Sequence, residues 1–181
     1  MPHKLKMTLY NTLITPIFNY ADIIWGGCNK NHGKRLQVTQ NFAARSILGK
    51  SKYDSGKAAL RELKLLNLEQ RRVIHESVFA HKALSKKLPI NIQSRYKLYL
   101  PKLSTRRSKL RKLNIPQHSL TKFKKSPIYR TITSWNKAPS TLPFGKINPH
   151  KKGFQKYLLI ENVSNENIIN KHLITPLKNK Q

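Results

Sequence analysis

The sequence predicts a mainly α protein: a small helical bundle of three to four helices, followed by a basic, proline-rich, irregular segment with short strands or helices. Three observations carry this. Apolar residues recur at helical spacing through the first 88 residues, where Pro16 is the one proline inside the pattern. Prolines at 89, 101, 116, 127, 139, 143 and 149 then forbid long helices. Charge shifts at the same place, for no Asp or Glu lies between Glu76 and Glu161 while 20 Lys and Arg do. The expected organisation is a helical unit over 1–88, a basic extension over 89–160, and a flexible tail over 161–181 that is rich in Asn and Lys.

Leu5, Leu9, Leu13, Tyr20 and Ile24 form one apolar stripe of the first helix, and Met7, Tyr10, Ile14, Phe18, Ala21 and Trp25 form another. A helix apolar on two faces needs neighbours on both. Pro16 should kink it near its middle, and Gly26-Gly27 should end it. A second helix, about Lys34 to Leu48, buries Leu36, Ala43, Ala44, Ile47 and Leu48 and stops at Gly49. A third, short helix starts from Asp54 or Ser55 as N-cap and carries Ala59, Leu60, Leu63 and Leu66. Asn67 then caps a fourth, with Gln70 set for a capping box, running to about Ser85. Beyond Leu88 the pattern loosens. Tyr96 to Leu100 alternates weakly like a strand, Tyr129 to Trp135 suits a strand or a short helix, and Phe154 to Ile160 suits a final short helix.

The 181 residues carry 36 Lys+Arg against 7 Asp+Glu, a net charge of +29 and a pI near 10.6. Such a chain is expected to meet a polyanion, nucleic acid before an anionic membrane surface. With a single cysteine, Cys28, neither an internal disulfide nor a Cys-x-x-Cys knuckle can form. The polar interruptions Lys6, Thr8, Asn11 and Thr12 predict neither a secretory leader nor a membrane span, hence an intracellular protein of nucleus or cytoplasm.

No catalytic residue, metal ligand or cofactor is expected. Tyr20-Ala21-Asp22 looks like the start of a metal-binding polymerase hairpin, but Ile23 follows and two-metal chemistry needs clustered carboxylates. Asp22 is therefore expected to be solvated or salt-bridged. His75 and His81 are six apart and fall on different helix faces, not at the spacing of a metal pair. The strong signal is basic. Arg106, Arg107, Lys109, Arg111 and Lys112 are followed by Lys122, Lys124, Lys125 and Arg130, with Tyr96, Tyr99, Phe123, Tyr129 and Trp135 interleaved. Cations neutralise phosphates and release counterions, and aromatic faces can stack on unpaired bases. Trp135 is expected to anchor a core instead, because a large aromatic in a small domain packs inside.

The run Tyr10 to Gly26, with Pro16-x-x-x-Tyr20-x-x-x-x-Trp25-Gly26, resembles the helix after the palm in reverse transcriptases of non-LTR (LINE, jockey-like) retrotransposons. Leu36-Gln37-Val38-Thr39-Gln40 with Arg45 and Ile47 is similar to the next helix of that family, and Leu60 to Leu68 to the segment after it. Trp135-Asn136-Lys137-Ala138-Pro139 resembles its Trp-Asn-x-Leu-Pro box, departing at Ala138, and Phe154 to Leu158 its closing element. The resemblance spans roughly Leu5 to Leu159 in order. It implies the thumb and C-terminal extension of an RNA-directed DNA polymerase. Fingers, palm and endonuclease are not in this chain, and the palm holds the catalytic aspartates, so no polymerisation is expected from the chain alone. The expected partners are template RNA or RNA/DNA hybrid, held through phosphates, and the palm of the parent polymerase. Lys34, Arg35 and Arg45 on the second helix join the downstream cations as expected phosphate contacts. The alternatives are an independent basic nucleic-acid-binding protein, domesticated or ribosomal-like, and a non-functional transposon relic.

Overall fold

A computed structural model describes residues 2–99, 112–118, 120–138 and 147–159. The fold is mainly helical, and among these residues the only strand-like pairing is an isolated antiparallel bridge, Leu98 to Leu113.

The first apolar run is broken more often than its periodicity predicts. Helix α1, His3–Leu9, passes into a π-helical turn, Tyr10–Ile14, which leads into α2, Thr15–Asn19. Pro16 lies in the first turn of α2, where its missing N–H is least costly, and the wider π turn just before it absorbs the misfit. The sharper break falls five residues after Pro16. Ala21 adopts a left-handed conformation, φ 50°, before α3, Asp22–Trp25, and the indole N–H of Trp25 donates to the freed carbonyl of Tyr20 at 2.6 Å. One stripe of this run is buried, through Tyr10 and Phe18. The other is bare: Leu5, Leu9, Leu13, Ile17, Tyr20 and Ile24 are between 39% and 80% exposed.

Helix α4, Lys30–Leu48, begins four residues before the expected Lys34, because Asn29 caps it by accepting from the Asn31 N–H at 3.2 Å. It ends at Gly49, left-handed at φ 70°. Ser55 caps α5, Gly56–Glu62, and Asn67 with Gln70 forms the expected capping box on α6, Leu68–Leu84. Two glutamines of α4 fix the α5–α6 connection. Gln40, fully buried, donates to the Tyr10 hydroxyl and to the Leu66 carbonyl, each at 3.0 Å, and Gln37 accepts from the Leu68 N–H at 2.9 Å.

After a short α7, Ile90–Gln93, and a 3₁₀ turn, Thr121–Lys125, the stretch that suited either strand or helix is a helix, α8, Pro127–Lys137, capped by Ser126. Pro127 at its first position is pre-set for helix, so a proline-rich segment still yields three turns. A final helix, α9, covers 147–159. The change of sequence character near 88 does not divide the core: Ala80 and Ala83 of α6 pack with Tyr96, Leu113, Ile132 and Trp135, the last being the expected anchor. Leu66 and Ile74 likewise pack with Phe154 and Leu158 of α9. The cluster Arg106, Arg107, Lys109 and Arg111, Leu100, Pro139 and the tail over 161–181 lie outside the described residues.

Tyr96 supplies a measurable marker of this shared core. Its hydroxyl bonds the Thr131 hydroxyl at 2.7 Å, and its phenol is held above the ordinary 10.0, chiefly by burial and further by the nearby Glu76 charge, against the opposing effect of the Thr131 bond. The unfolded chain therefore releases this proton first, and the tyrosine's contribution falls as pH rises above about 10. Tyr96→Phe should cost about 1 kcal/mol near neutrality. The deficit against wild type should shrink in urea titrations above pH 10, whereas a constant deficit would contradict the assignment.

Candidate nucleic-acid interface

Between α4, α5 and the first turns of α6 runs an open groove of about 840 Å³. Polar residues of α4 at helical spacing, Lys30, Lys34, Gln37 and Asn41, form one wall. Lys57 and Arg61, one turn apart on α5, form the facing wall, and Arg72 of α6 closes one end beside Gly26. Glu69 and the buried Glu76 are the acids on its lining. Lys30, Lys34 and Lys57 have no carboxylate partner among the described residues. The capped N-termini of α4 and α6, marked by Asn29 and Asn67, also open onto the groove and bring the positive ends of two helix dipoles to it. What this arrangement can do chemically is hold an extended anion by charge, since most amides of the two helix ends are already taken by Asn29, Asn67 and Gln37.

The end of the groove is fixed by a buried ionic cluster. Glu76 of α6 accepts from Arg130 of α8 through Nε at 2.9 Å and through Nη2, and from the Ser134 hydroxyl at 2.5 Å. Arg130 also donates to the Ile23 carbonyl at 3.0 Å, tying in α3. Arg72 donates to the Gly26 carbonyl at 3.1 Å while its guanidinium lies 5.2 Å over the Trp25 ring. Asp22 is buried and bonded to His75 at 2.5 Å, the salt-bridged alternative rather than the solvated one. His81 is buried elsewhere, against Trp135 and His150, and no group of three metal-ligating side chains occurs among the described residues.

The sequence-predicted contacts divide accordingly. Lys34 lines the groove and Arg35 is exposed on the neighbouring face of α4. Lys122, Lys124 and Lys125 are exposed on the 3₁₀ turn, whose Lys125 carbonyl packs against Gly27 next to the groove's end. Three cations are placed otherwise. Arg130 is no free phosphate contact, because its charge is taken up by Glu76. Lys112 is half-buried and donates to the Asn136 carbonyl, and Arg45 is half-buried with Nη1 3.5 Å from the Asp54 carbonyl. Four of the five interleaved aromatics are also packed: Tyr96 and Trp135 in the core, Phe123 and Tyr129 against His118. Sequence reading missed Lys30, Lys57, Arg61 and Arg72, although Lys30 and Lys34 on α4 and Lys57 and Arg61 on α5 repeat at four-residue spacing.

No family model matches the chain, and no curated protein or solved structure matches it either. Among the described residues no helix is long and apolar enough to cross a membrane.

The ionic cluster gives a direct test of how the groove is held. Glu76→Gln leaves Arg130 charged and uncompensated in a buried site, and should cost about 3–5 kcal/mol in thermal or urea unfolding. The double variant Glu76→Gln, Arg130→Met should recover most of that loss. Equal instability of the single and double variants would contradict this role for the pair.

Proposed function

We propose that this chain is a non-catalytic nucleic-acid-gripping element, the thumb and post-thumb region of a non-LTR retrotransposon reverse transcriptase. The observation that carries the reading is the groove, where Lys30, Lys34, Lys57 and Arg61 converge near two helix N-termini and where Glu69 is the one exposed acid among the described lining residues. Such a site attracts the backbone of RNA or of an RNA/DNA hybrid without reading its sequence, since phosphates are the same at every step. The ordered family-like segments support the polymerase origin. Gln37 and Gln40 of the second segment are the two side chains that pin the α5–α6 link, which gives that segment a structural reason for its residue types.

The bare aliphatic stripe supports the other half of the reading. Six large apolar residues exposed along α1 to α3 suit burial against a second domain, and in the parent polymerase that domain is the palm. The chain itself is proposed to add no chemistry: positioning the template strand is its contribution, in the nucleus or cytoplasm where the element is copied.

Phosphate-dominated binding has a quantitative signature. The logarithm of the association constant for RNA should fall linearly with the logarithm of salt concentration, by about 0.7–0.9 per neutralised phosphate. Lys34→Ala and Lys57→Ala should each lower that slope by roughly the contribution of one phosphate while leaving the fold intact by circular dichroism. Affinity that stays flat from low to high salt would remove the proposal.

A further inference from the structure

Helix α4 presents a second outward face, next to the groove wall. Arg35, Val38, Phe42 and Arg45 follow one another at helical spacing, and Phe42 is 63% exposed. The loop after α4 adds Tyr53, 85% exposed, with the Lys52 ammonium 5.0 Å over its ring. That loop is tied to the same face, through Arg45 at the Asp54 carbonyl and through the Lys50 N–H on the Arg45 carbonyl at 2.9 Å. The acids at this loop are engaged, Asp54 with the Ser51 N–H at 2.7 Å and Glu62 with the Lys50 ammonium at 2.5 Å.

We propose that Phe42 and Tyr53 form a stacking platform for unpaired nucleobases of a strand whose phosphates lie in the groove. The inference rests on the nucleic-acid reading of the groove and adds to it the class of ligand, single-stranded RNA or DNA. Two features favour bases over a protein partner. Beside the exposed Val38, the two largest exposed apolar side chains of this face, Phe42 and Tyr53, are aromatic, and the exposed Arg35 and Lys52 stand near them as cations that attract the backbone between stacked bases. The stripe on α1 to α3, by contrast, is Leu and Ile apart from the single ring of Tyr20, a surface suited to protein burial. Groove and platform lie on adjacent faces of one rigid 19-residue helix, so a strand crossing the edge of α4 can use both.

The test uses the full chain and a short oligoribonucleotide containing 2-aminopurine, offered single-stranded and as a blunt duplex. Stacking on the platform should quench the 2-aminopurine of the single strand. Phe42→Ala and Tyr53→Ala should each relieve the quenching and weaken single-strand binding about five- to a hundredfold, from the usual contribution of one stacked base. Duplex affinity and the salt slope should stay as in wild type, and Phe42→Trp should retain single-strand binding. If wild type binds with a steep salt slope but Phe42→Ala changes nothing, the platform is overturned while the groove stands, and the face is left to a protein partner. Equal losses for single strand and duplex would also overturn it. If wild type binds neither RNA, the groove reading fails and the platform with it.

Discussion

In a chain with 36 basic residues and 7 acids, Glu76 is buried where α3, α6 and α8 meet, and the arrangement of the other elements depends on it. Its two oxygens take Arg130 and Ser134 of α8, and Arg130 in turn holds the end of α3 by the Ile23 carbonyl. A buried carboxylate is unfavourable unless paired and fully hydrogen-bonded, and so is a buried guanidinium. Each therefore requires the other, and the requirement brings a helix from the proline-rich half of the chain against one from the proline-poor half. Asp22 serves α3 in the same way through His75. Two of the five acids among the described residues are thus placed inside, against one arginine, Arg130.

Much of this fold is legible in the sequence where the controlling physics is local. Gly49, Ser55, and Asn67 with Gln70 mark helix ends because each solves a backbone problem at its own position. The break at Ala21 is not legible, since nothing in alanine favours a left-handed conformation. Tertiary contacts impose it, through Trp25 on the Tyr20 carbonyl and Asp22 on His75. The pairing of α8 with α6 is hidden for a related reason: it depends on one arginine meeting one glutamate 54 residues away. Density of charge also misleads, because it cannot tell Arg130, neutralised inside, from Lys30 and Lys57, which line a wall together only after α4 and α5 pack.

Helix α4 organises the surface as well as the interior. One of its faces buries Gln40, Ala44 and Ile47, the next lines the groove, and a third carries Phe42 between arginines. A rigid helix thereby sets the relation between the two sites proposed for backbone phosphates and for bases. The aliphatic stripe lies on other elements, α1 to α3. The two surfaces differ in chemistry, mostly aliphatic on one and cationic on the other.

Nucleic acid is proposed to enter the groove between α4, α5 and α6. The most direct measurement is amide chemical-shift mapping of the isotopically labelled full chain as a short RNA is added at low salt. Perturbation should concentrate on Lys30, Gly33, Lys34, Lys57 and Arg61, with Leu9, Leu13 and Ile17 unchanged. Shifts confined to α1 to α3, or spread evenly over all exposed lysines, would contradict the account.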